Sequence, residues 1–373
     1  CTHKGIKFAV VHSAGFSELG DEGKELENEM LQVARQGGTR IVGPNCMGLY
    51  SPKVALNTIL VESEVKNEPG SVAFVGQSGN ISENFICRGY ELGLRFSKVV
   101  SIGNQSDLTI EDLLEYFAAD PETKVIALYI EGLKRGRDFF ELAKQISPRK
   151  PIIVWKGGKT DTGNRLTTTH TASLSGNNAV FEAALKQSGI VSASNIEEML
   201  DLAIGFTSPI LPAGNRIGLI AEAGSGIVTG ADISEELGLT IPALSAEAQK
   251  EIADTLEGEA MPSLTRQNPV DLGWLDYEPS SRLFVECSRI MLKEVDAIVG
   301  LSYAHLNEDF VARLASLRDE TKKPILLTAG LPSIEKQGMN LLVRSGIPAF
   351  TILQRALKVS AAMVRYSDNR QQG

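Results

Sequence analysis

An internal repeat constrains the fold of this chain more than any other feature. The segment SVAFVGQSGNISENFICRGYELGL, which starts at Ser71, aligns without a gap with RIGLIAEAGSGIVTGADISEELGL, which starts at Arg216. Both read as a buried strand, a turn that contains glycine, and a helix that ends in ELGL. KVIALYIEGL corresponds in the same way to DAIVGLSYAH, KPIIVWKGGK to KPILLTAGLP, and KQSGIV to VRSGIP. The two segments are therefore predicted to be versions of one domain.

Short apolar runs such as KFAVVH, GSVAFVG, KVVSIG and DAIVGLSY alternate with amphipathic helical stretches along the whole chain. Apolar strands that are each followed by a helix are typical of parallel sheets covered on both faces. The fold is therefore predicted to be α/β, with parallel sheets.

The chain has 373 residues, of which 43% are hydrophobic, enough for two or three domains with separate cores. Boundaries are predicted near KNEPGS and SPILPAGN, where turn-forming residues cluster. The first segment, with VARQGGTRIVGPNCMG, resembles a closing strand of the repeated domain. Because CTHKGIKFAVVHSAGF reads as a helix end that runs into a core strand, a further N-terminal part is expected. The predicted domains are residues 1–69, 70–210 and 211–373.

Composition excludes several classes of partner. The formal net charge is -9 and there is no long Lys/Arg run, so neither nucleic acid nor an anionic membrane surface is an expected partner. No membrane span or signal pattern is evident, which makes the cytoplasm the expected location. The four cysteines lack CxxC spacing, so neither a disulfide framework nor a zinc site is indicated, and no metal site is predicted.

The two copies differ by one insertion. From Pro151 to Ser188 there are 37 positions, but from Pro324 to Ser345 there are only 21. The additional residues lie in GGKTDTGNRLTTTHTASLSGNN, which contains His170 and has no apolar periodicity. Loops longer than about 12 residues inside a compact domain are usually functional or disordered. His170 is therefore predicted to lie on an added, exposed and mobile loop.

Several roles are compatible with a histidine on such a loop, the simplest being a solvated surface residue. A metal site would need further ligands, and the loop offers only Asp161. A Ser-His-Asp hydrolase would need a GxSxG elbow, which the sequence lacks. What remains is His170 as a nucleophile that carries a transferred group, and a phosphoryl group would need an anion site and an orienting carboxylate.

The repeated turns supply candidate anion sites, because each lies between a strand and the N-terminus of a helix. The candidate residues are Ser78, Gly79 and Asn80 in the first copy and Gly224, Ser225 and Gly226 in the second. Close packing at a strand-helix junction is the alternative role of such glycines. Two homologous turns favour the anion site, and they are expected to hold one phosphate together.

Glu131, at the end of a predicted core strand, is the candidate orienting carboxylate, since ligands of α/β sheets gather at strand ends. Hydrogen bonding to one ring nitrogen would fix the tautomer of His170. An ordinary surface glutamate is the alternative. For Lys156, at the end of the strand before the insertion, a solvated surface lysine is favoured over a lysine that neutralises phosphate.

Taken together, SAGFSELGDEG, RIVGPNCMGLYSP, SVAFVGQSGNIS, RLTTTHTASLSG and SGIPAFTILQRALKVSAAM resemble the α-type part of NDP-forming acyl-CoA synthetases. This family includes ADP-forming acetate-CoA ligase and is related to succinyl-CoA synthetase, and the resemblance covers essentially the whole chain. It implies tandem flavodoxin-like, doubly wound domains of the succinyl-CoA synthetase type. These would follow the C-terminal part of a CoA-binding Rossmann domain.

The resemblance also implies the roles of the site residues. His170 would be phosphorylated during turnover, Glu131 would contact it, and the two repeated turns would hold its phosphate. The remaining part of the CoA site would comprise His12, Ser13, Ala14, Gly15, Asn45 and Cys46. For Cys46 a small buried side chain is the favoured interpretation. Glu222 stands where relatives commonly have Asn, which would bring a negative charge near the expected phosphate.

The implied activity is that of an acid-thiol ligase: acid + CoA + ATP ⇌ acyl-CoA + ADP + phosphate. An acyl phosphate would form, and the loop with His170 would swing between the CoA site and a distant nucleotide site. A small carboxylic acid and CoA would be substrates, with ATP or ADP and Mg²⁺ on an ATP-grasp domain or subunit outside this chain, in an oligomer. The alternative is a non-catalytic, CoA- or acyl-CoA-responsive regulatory part of a protein lysine acetyltransferase-like protein. The presence of both His170 and Glu131 favours the enzyme.

Overall fold

A mainly parallel sheet lies at the centre of each of the two units into which the chain folds. The computed structural model describes residues 1–163, 178–258, 266–273, 275–303, 306–330 and 332–372. The first unit comprises Cys1–Tyr90 and Arg95–Ala203, and the second comprises Glu91–Leu94 and Ile204–Gly373. The predicted division into domains at residues 69 and 210 stays a prediction.

The first unit begins with a small two-stranded parallel sheet and one helix. Its elements are β1 (Phe8–Val10), α1 (Asp21–Gln36) and β2 (Arg40–Val42), with short 3-10 helices at Thr2–Lys4, Ser17–Leu19 and Pro52–Val54. Leu31, Ala34 and Ile41 form a small core between α1 and the strands. The predicted core character of the first strand is wrong at Phe8, which is 62% exposed.

Seven further strands form the central sheet of the first unit. They are β3 (Gly48–Ser51), β4 (Leu56–Asn57), β5 (Pro69–Gly76), β6 (Phe96–Ser101), β7 (Val125–Ile130), β8 (Ile152–Lys156) and β9 (Val191–Ala193), in the order β4-β3-β6-β5-β7-β8-β9. Strands β5 to β9 are parallel to one another. Every residue of β7 is buried, as expected for a strand covered on both faces.

Two short antiparallel strands extend this sheet at one edge. Strand β3 pairs with β6 through Gly48 and Ser101, and β4 pairs with β3 through Asn57 and Tyr50. Both strands lie within the segment that was predicted to end a Rossmann domain. The central sheet of the first unit therefore includes two strands from the part of the chain that precedes the repeat.

Helices follow the strands of the first unit in the described part of the chain, and the last of them ends in the second unit. They are α2 (Gly79–Glu91), α3 (Ile110–Ala119), α4 (Gly136–Ile146), α5 (Asn178–Gln187) and α6 (Ile196–Phe206). Helix α3 begins with a capping box, in which Thr109 and Asp112 satisfy backbone N–H groups of the first turn. Its apolar face buries Leu114 and Phe117 against the sheet core.

The second unit repeats this plan with five parallel strands. They are β10 (Ile217–Ala221), β11 (Val270–Asp271), β12 (Ala297–Ser302), β13 (Ile325–Ala329) and β14 (Ala349–Phe350). The helices are α7 (Gly224–Glu236), α8 (Ala246–Leu256), α9 (Tyr277–Met291), α10 (Glu308–Thr321), α11 (Pro332–Arg344) and α12 (Leu353–Gln372).

The strand orders confirm the predicted fold class. The strands β6-β5-β7-β8-β9 of the first unit and β11-β10-β12-β13-β14 of the second both follow the order 2-1-3-4-5. This is the doubly wound order of flavodoxin-like sheets, in which ligands bind beyond the carboxyl ends of the strands near the point where the order reverses. In the first unit this point lies between β5 and β7, and in the second between β10 and β12.

Candidate active site

Glu131 follows β7 directly and is buried at the carboxyl end of the sheet. It is 5% exposed, so the alternative of an ordinary surface glutamate is wrong. Its Oε1 accepts a hydrogen bond of 3.2 Å from the hydroxyl of Tyr129. Its Oε2 is buried as well, and none of the residues in the described ranges donates to it. Leaving a buried carboxylate oxygen without a donor is costly, so an added N–H or O–H donor at Oε2 would be strongly stabilised.

Gln77 fixes the backbone that carries Glu131. Gln77 follows β5 and is 4% exposed. Its Oε1 accepts the backbone N–H of Glu131 at 2.5 Å and that of Gly132 at 2.9 Å. The backbone N–H of Gln77 donates to the carbonyl oxygen of Tyr129 at 3.3 Å. The ends of β5 and β7 are thereby joined immediately before the turn at Ser78.

Lys156 lies on the other side of Glu131, at the end of β8. The interpretation of Lys156 as a solvated surface residue is wrong, because it is only 6% exposed. Its Nζ donates to the carbonyl oxygen of Glu131 at 2.9 Å and to that of Gly157. Burial lowers the pKa of Lys156 below its usual value, although the charge of Glu131 acts in the opposite direction. The ammonium group thus links the Glu131 backbone to the first residue after β8.

Two aromatic rings complete this part of the site. Tyr129 and Trp155 contact each other edge to face, with ring centroids 4.8 Å apart. Burial, together with the negative charge of Glu131, raises the pKa of Tyr129, so its hydroxyl stays a donor to the carboxylate. A Cβ atom on Gly157 would lie 2.5 Å from the Tyr129 hydroxyl oxygen, so the close approach requires glycine.

The first candidate phosphate turn follows Gln77 without a break. Ser78 and Gly79 are half-buried and Asn80 is exposed, and α2 begins at Gly79. The first N–H groups of a helix have no intrahelical partner, and the helix dipole favours an anion there. The Oγ of Ser78 accepts only a long bond of 3.4 Å from the N–H of Ile81. Phosphate binding at this turn stays a prediction.

The second candidate turn opens α7 in the second unit. Gly224 and Ser225 are exposed, whereas Gly226 is buried, and a Cβ on it would lie 2.6 Å from Cδ2 of Leu301. The helix is preceded by Ala223, which has no side-chain oxygen to cap the first turn. Packing thus explains Gly226, while Gly224 and Ser225 leave backbone accessible at the helix N-terminus.

Glu222 has a structural role that the sequence did not reveal. It is 5% exposed, and its Oε1 accepts the hydroxyl of Ser302 at 2.8 Å. Its Oε2 accepts the backbone N–H of Tyr303 at 2.8 Å. Both carboxylate oxygens are therefore occupied by the end of the neighbouring strand β12. The repeat alignment pairs Glu222 with Gln77 and Tyr303 with Glu131, so the two units use the same strand-end hydrogen bond.

In the turn predicted to contact CoA, some residues are exposed and others make hydrogen bonds within the protein. His12, Ser13 and Ala14 are exposed. The N–H of Gly15, however, donates to Oε1 of Glu18 at 2.5 Å. Burial opposes ionisation of Glu18, but hydrogen bonds from Asn104 and from the turn outweigh it and lower the pKa of this carboxyl. Only part of this turn is thus accessible, and CoA binding there stays a prediction.

The second CoA segment lies beside this turn. The N–H of Asn45 donates to the carbonyl oxygen of Ser13 at 2.9 Å, and Asn45 has a positive φ of 56°. Cys46 is buried, its Sγ lies 3.4 Å from the carbonyl oxygen of Val11, and burial raises the pKa of its thiol to about 11. This environment confirms Cys46 as a small buried side chain rather than a reactive thiol.

The insertion begins directly after Lys156, which contacts Glu131. Strand β8 ends at Lys156 and α5 begins at Asn178, whereas in the second unit β13 ends at Ala329 and α11 begins at Pro332. His170 lies outside the described residues. In the repeat alignment Lys156 stands opposite Ala329. Glu131 and Lys156 therefore both lie at the ends of β7 and β8, the adjacent strands that precede the insertion.

Gln77 and Tyr129 contact Glu131 but were not identified from the sequence, and Lys156, which was interpreted as solvated, is buried beside them. One signal was available: Tyr129, Glu131 and Lys156 all stand at strand-end positions where the second copy has other residues. Comparing the copies position by position at strand ends, and not only in loop length, would have identified them.

Within the described ranges, no group of three or more His, Cys, Asp or Glu residues could hold a metal ion. The four cysteines are free. Of the helices in the described part of the chain, none combines the length and apolar character that crossing a bilayer would require.

Comparisons with known proteins identify the class to which this fold belongs. The succinyl-CoA ligase-like flavodoxin domain matches residues 69–206. A solved structure of dinucleotide-forming acetyl-coenzyme A synthetase 1 from Ca. Korarchaeum cryptofilum, in complex with phosphate and ADP, superposes with a TM-score of 0.87. It is 30% identical, and the match covers 100% of this chain and 80% of that chain. The fold is that of the succinyl-CoA ligase class.

Two curated relatives narrow this class. The α subunit of ADP-forming acetate-CoA ligase II from Pyrococcus furiosus is 34% identical over 99% of this chain and 80% of its own length. The ADP-forming acetate-CoA ligase I from Archaeoglobus fulgidus is 34% identical over 98% of this chain. The chain spans 52% of that second relative, or about half of it. The chain belongs to the family of ADP-forming acyl-CoA synthetases, in which it is of the α type.

Proposed function

We propose that this chain carries the phosphoryl group in the reaction acid + CoA + ATP ⇌ acyl-CoA + ADP + phosphate. The observation that supports this most directly is the buried Oε2 of Glu131, which has no donor among the described residues. An imidazole N–H is a donor of the kind that this oxygen needs. His170 lies on the insertion that follows β8, the strand beside β7.

In the synthetic direction, a ring nitrogen of His170 attacks the γ-phosphorus of ATP. The N–P bond forms, the P–O bond to ADP breaks, and ADP leaves. A carboxylate oxygen of the acid then attacks the same phosphorus, so that an acyl phosphate forms and the N–P bond breaks. The acyl group is finally transferred to the thiol of CoA with release of phosphate and of the thiol proton.

Glu131 accepts the other ring N–H of His170 in this proposal. This bond fixes the tautomer and leaves the opposite nitrogen as the nucleophile. It also stabilises the positive charge that the ring acquires as the N–P bond forms. The turns at Ser78, Gly79 and Asn80 and at Gly224, Ser225 and Gly226 would each bind phosphate oxygens through helix N-termini.

The remaining components follow from the same proposal. The exposed residues His12, Ser13 and Ala14, with Asn45, would contact CoA, while Gly15 and Cys46 would shape that turn. ATP and ADP would bind with Mg²⁺ to an ATP-grasp partner, in a cytoplasmic oligomer. The α-subunit relatives support such a partner, since they are named as subunits.

The test is transfer of label from γ-labelled ATP, with the ATP-grasp partner and Mg²⁺ present. Wild type should acquire acid-labile, base-stable label, as expected for phosphohistidine. His170→Ala should acquire none, and the matched control His3→Ala, at an exposed position, should behave as wild type. Equal labelling of wild type and His170→Ala would overturn the proposal and favour a non-catalytic, CoA-responsive role.

A further inference from the structure

We propose that Gln77 is a positioning residue for Glu131, and that it must be uncharged because the residue it holds is a carboxylate. This inference rests on the proposed function, because Glu131 matters only if it orients His170. It goes beyond that function by assigning a role to the residue before the first phosphate turn.

The contacts of Gln77 show what it holds. Its Oε1 accepts two consecutive backbone N–H groups, those of Glu131 at 2.5 Å and Gly132 at 2.9 Å. Two donors on one oxygen determine which end of the amide faces the backbone. The Nε2 group has no hydrogen-bond partner within the described ranges. The side-chain amide of Gln77 therefore fixes the backbone of Glu131, to which the carboxylate side chain is attached.

The second unit shows that an amide is not required for this bond. There Glu222 occupies the position of Gln77, and its Oε2 accepts the N–H of Tyr303, the counterpart of Glu131. The hydroxyl of Ser302 satisfies its other oxygen. A carboxylate thus serves the same structural purpose where the residue that it holds carries no charge.

The charges around Glu131 explain why the first unit differs. Tyr129 from β7 donates its hydroxyl to the carboxylate, and Lys156 from β8 places one ammonium group on the Glu131 carbonyl oxygen. Gln77 from β5 adds no charge. A carboxylate at position 77 would bring a second negative charge beside the first. Two neighbouring carboxylates do not ionise as readily as one, so protonation of the pair would extend to higher pH.

The experiment compares matched substitutions in the two units. Gln77→Glu introduces the carboxylate of the second unit into the first, and Glu222→Gln makes the reverse change. Each full-length variant is mixed with the ATP-grasp partner, Mg²⁺ and γ-labelled ATP, and the rate of His170 labelling is measured from weakly acidic to weakly alkaline pH. Thermal unfolding checks that each variant is folded.

For Gln77→Glu, we expect the acid limb of the pH profile to move by about one pH unit to higher pH. The Glu222→Gln profile should keep the shape of wild type. Gln77→Met, which removes the acceptor without adding charge, should lower the rate at every pH with no shift. If Gln77→Glu does not fold, Gln77→Met still tests the positioning role of Gln77.

Three outcomes would contradict the inference. The first is a wild-type profile and rate for Gln77→Glu, and the second is a wild-type rate for Gln77→Met. The third is an equal shift in Glu222→Gln, since this would mean that the effect does not depend on Glu131. A wild type that takes up no acid-labile label would instead refute the proposed function, and this inference with it.

Discussion

The side chain of Met47 lies over Gly79, the first residue of α2. A Cβ atom on Gly79 would be 2.5 Å from Cγ of Met47 and 2.7 Å from its Sδ. In the second unit, a Cβ on Gly224 would be 3.4 Å from the nearest atom, which is an ordinary contact. The two equivalent glycines therefore differ in the space around them, although both open a helix at a candidate phosphate turn.

The first prediction uses this difference. Gly79→Ala should lower the free energy of unfolding by about 1 to 3 kcal/mol, because the methyl group displaces Met47. Gly224→Ala should change it by less than about 0.5 kcal/mol. Urea unfolding of both variants checks this. In Met47→Ala/Gly79→Ala the two effects should be non-additive by more than about 0.5 kcal/mol. If the changes in unfolding free energy simply add, contact with Met47 is not the reason why alanine at position 79 is destabilising.

The second prediction concerns Glu131→Gln. The substitution keeps one oxygen for the Tyr129 hydroxyl but places an NH₂ group where a carboxylate oxygen could accept an imidazole N–H. The rate of His170 labelling should fall on the order of 100-fold, since the ring tautomer is no longer fixed. The unfolding temperature should change little. Unchanged labelling kinetics would exclude an orienting role for Glu131.

The third prediction concerns the buried ammonium group of Lys156. Lys156→Met keeps the apolar stem but leaves the carbonyl oxygens of Glu131 and Gly157 without this donor. We expect a loss of about 1 to 3 kcal/mol in the free energy of unfolding. The control is Lys159→Met, which removes only a partly exposed ion pair with Glu182 and should cost at most about 1 kcal/mol. Equal losses would mean that burial of Lys156 is unimportant.

The fourth prediction is a pH dependence in the second unit. Burial opposes ionisation of Asp296, but hydrogen bonds from the side chain and backbone of Arg216 outweigh it and lower the pKa of this carboxyl. Because the folded-state pKa is depressed, the stabilisation is complete above the ordinary value of 3.8 and is lost as pH falls through the folded value. Asp296→Asn should therefore lose stability near neutral pH and show a flatter decline in acid.

Denaturant unfolding at several pH values measures this effect. The exposed pair of Asp254 with Lys250 supplies the control Asp254→Asn, which removes a surface ion pair and should cost at most about 1 kcal/mol near neutral pH. If Asp296→Asn declines in acid as steeply as wild type, the Arg216 pair does not contribute to acid sensitivity.

The repeat made the parallel sheets predictable, because a strand such as β7 is a continuous apolar run and its counterpart β12 aligns with it. Strands β3 and β4 were not predictable in the same way. They have only four and two residues and lie outside the repeat, where β3 pairs with β6 and β4 pairs with β3. A run that short carries no periodicity, so only tertiary pairing determines it.

The residues of the candidate site, like the strands, could be predicted only in part. Glu131 could be found because it ends a core strand, but the burial of Lys156 could not, since a lysine after an apolar run usually reaches solvent. The structural role of Glu222 as a hydrogen-bond acceptor could not be predicted for a different reason. Its partners Ser302 and Tyr303 are some 80 positions further along the chain and are brought to it by β-sheet pairing.

The length of the outermost strands of both sheets affects how readily this chain would aggregate when it is produced without a partner. Strands β4 and β9 border one sheet and β11 and β14 the other, and each has only two or three residues. Long unpaired edges act as templates on which further chains add strands and aggregate. Edges of two or three residues offer few free backbone groups for such growth, so the edge strands of the described sheets are poor templates for amyloid-like association.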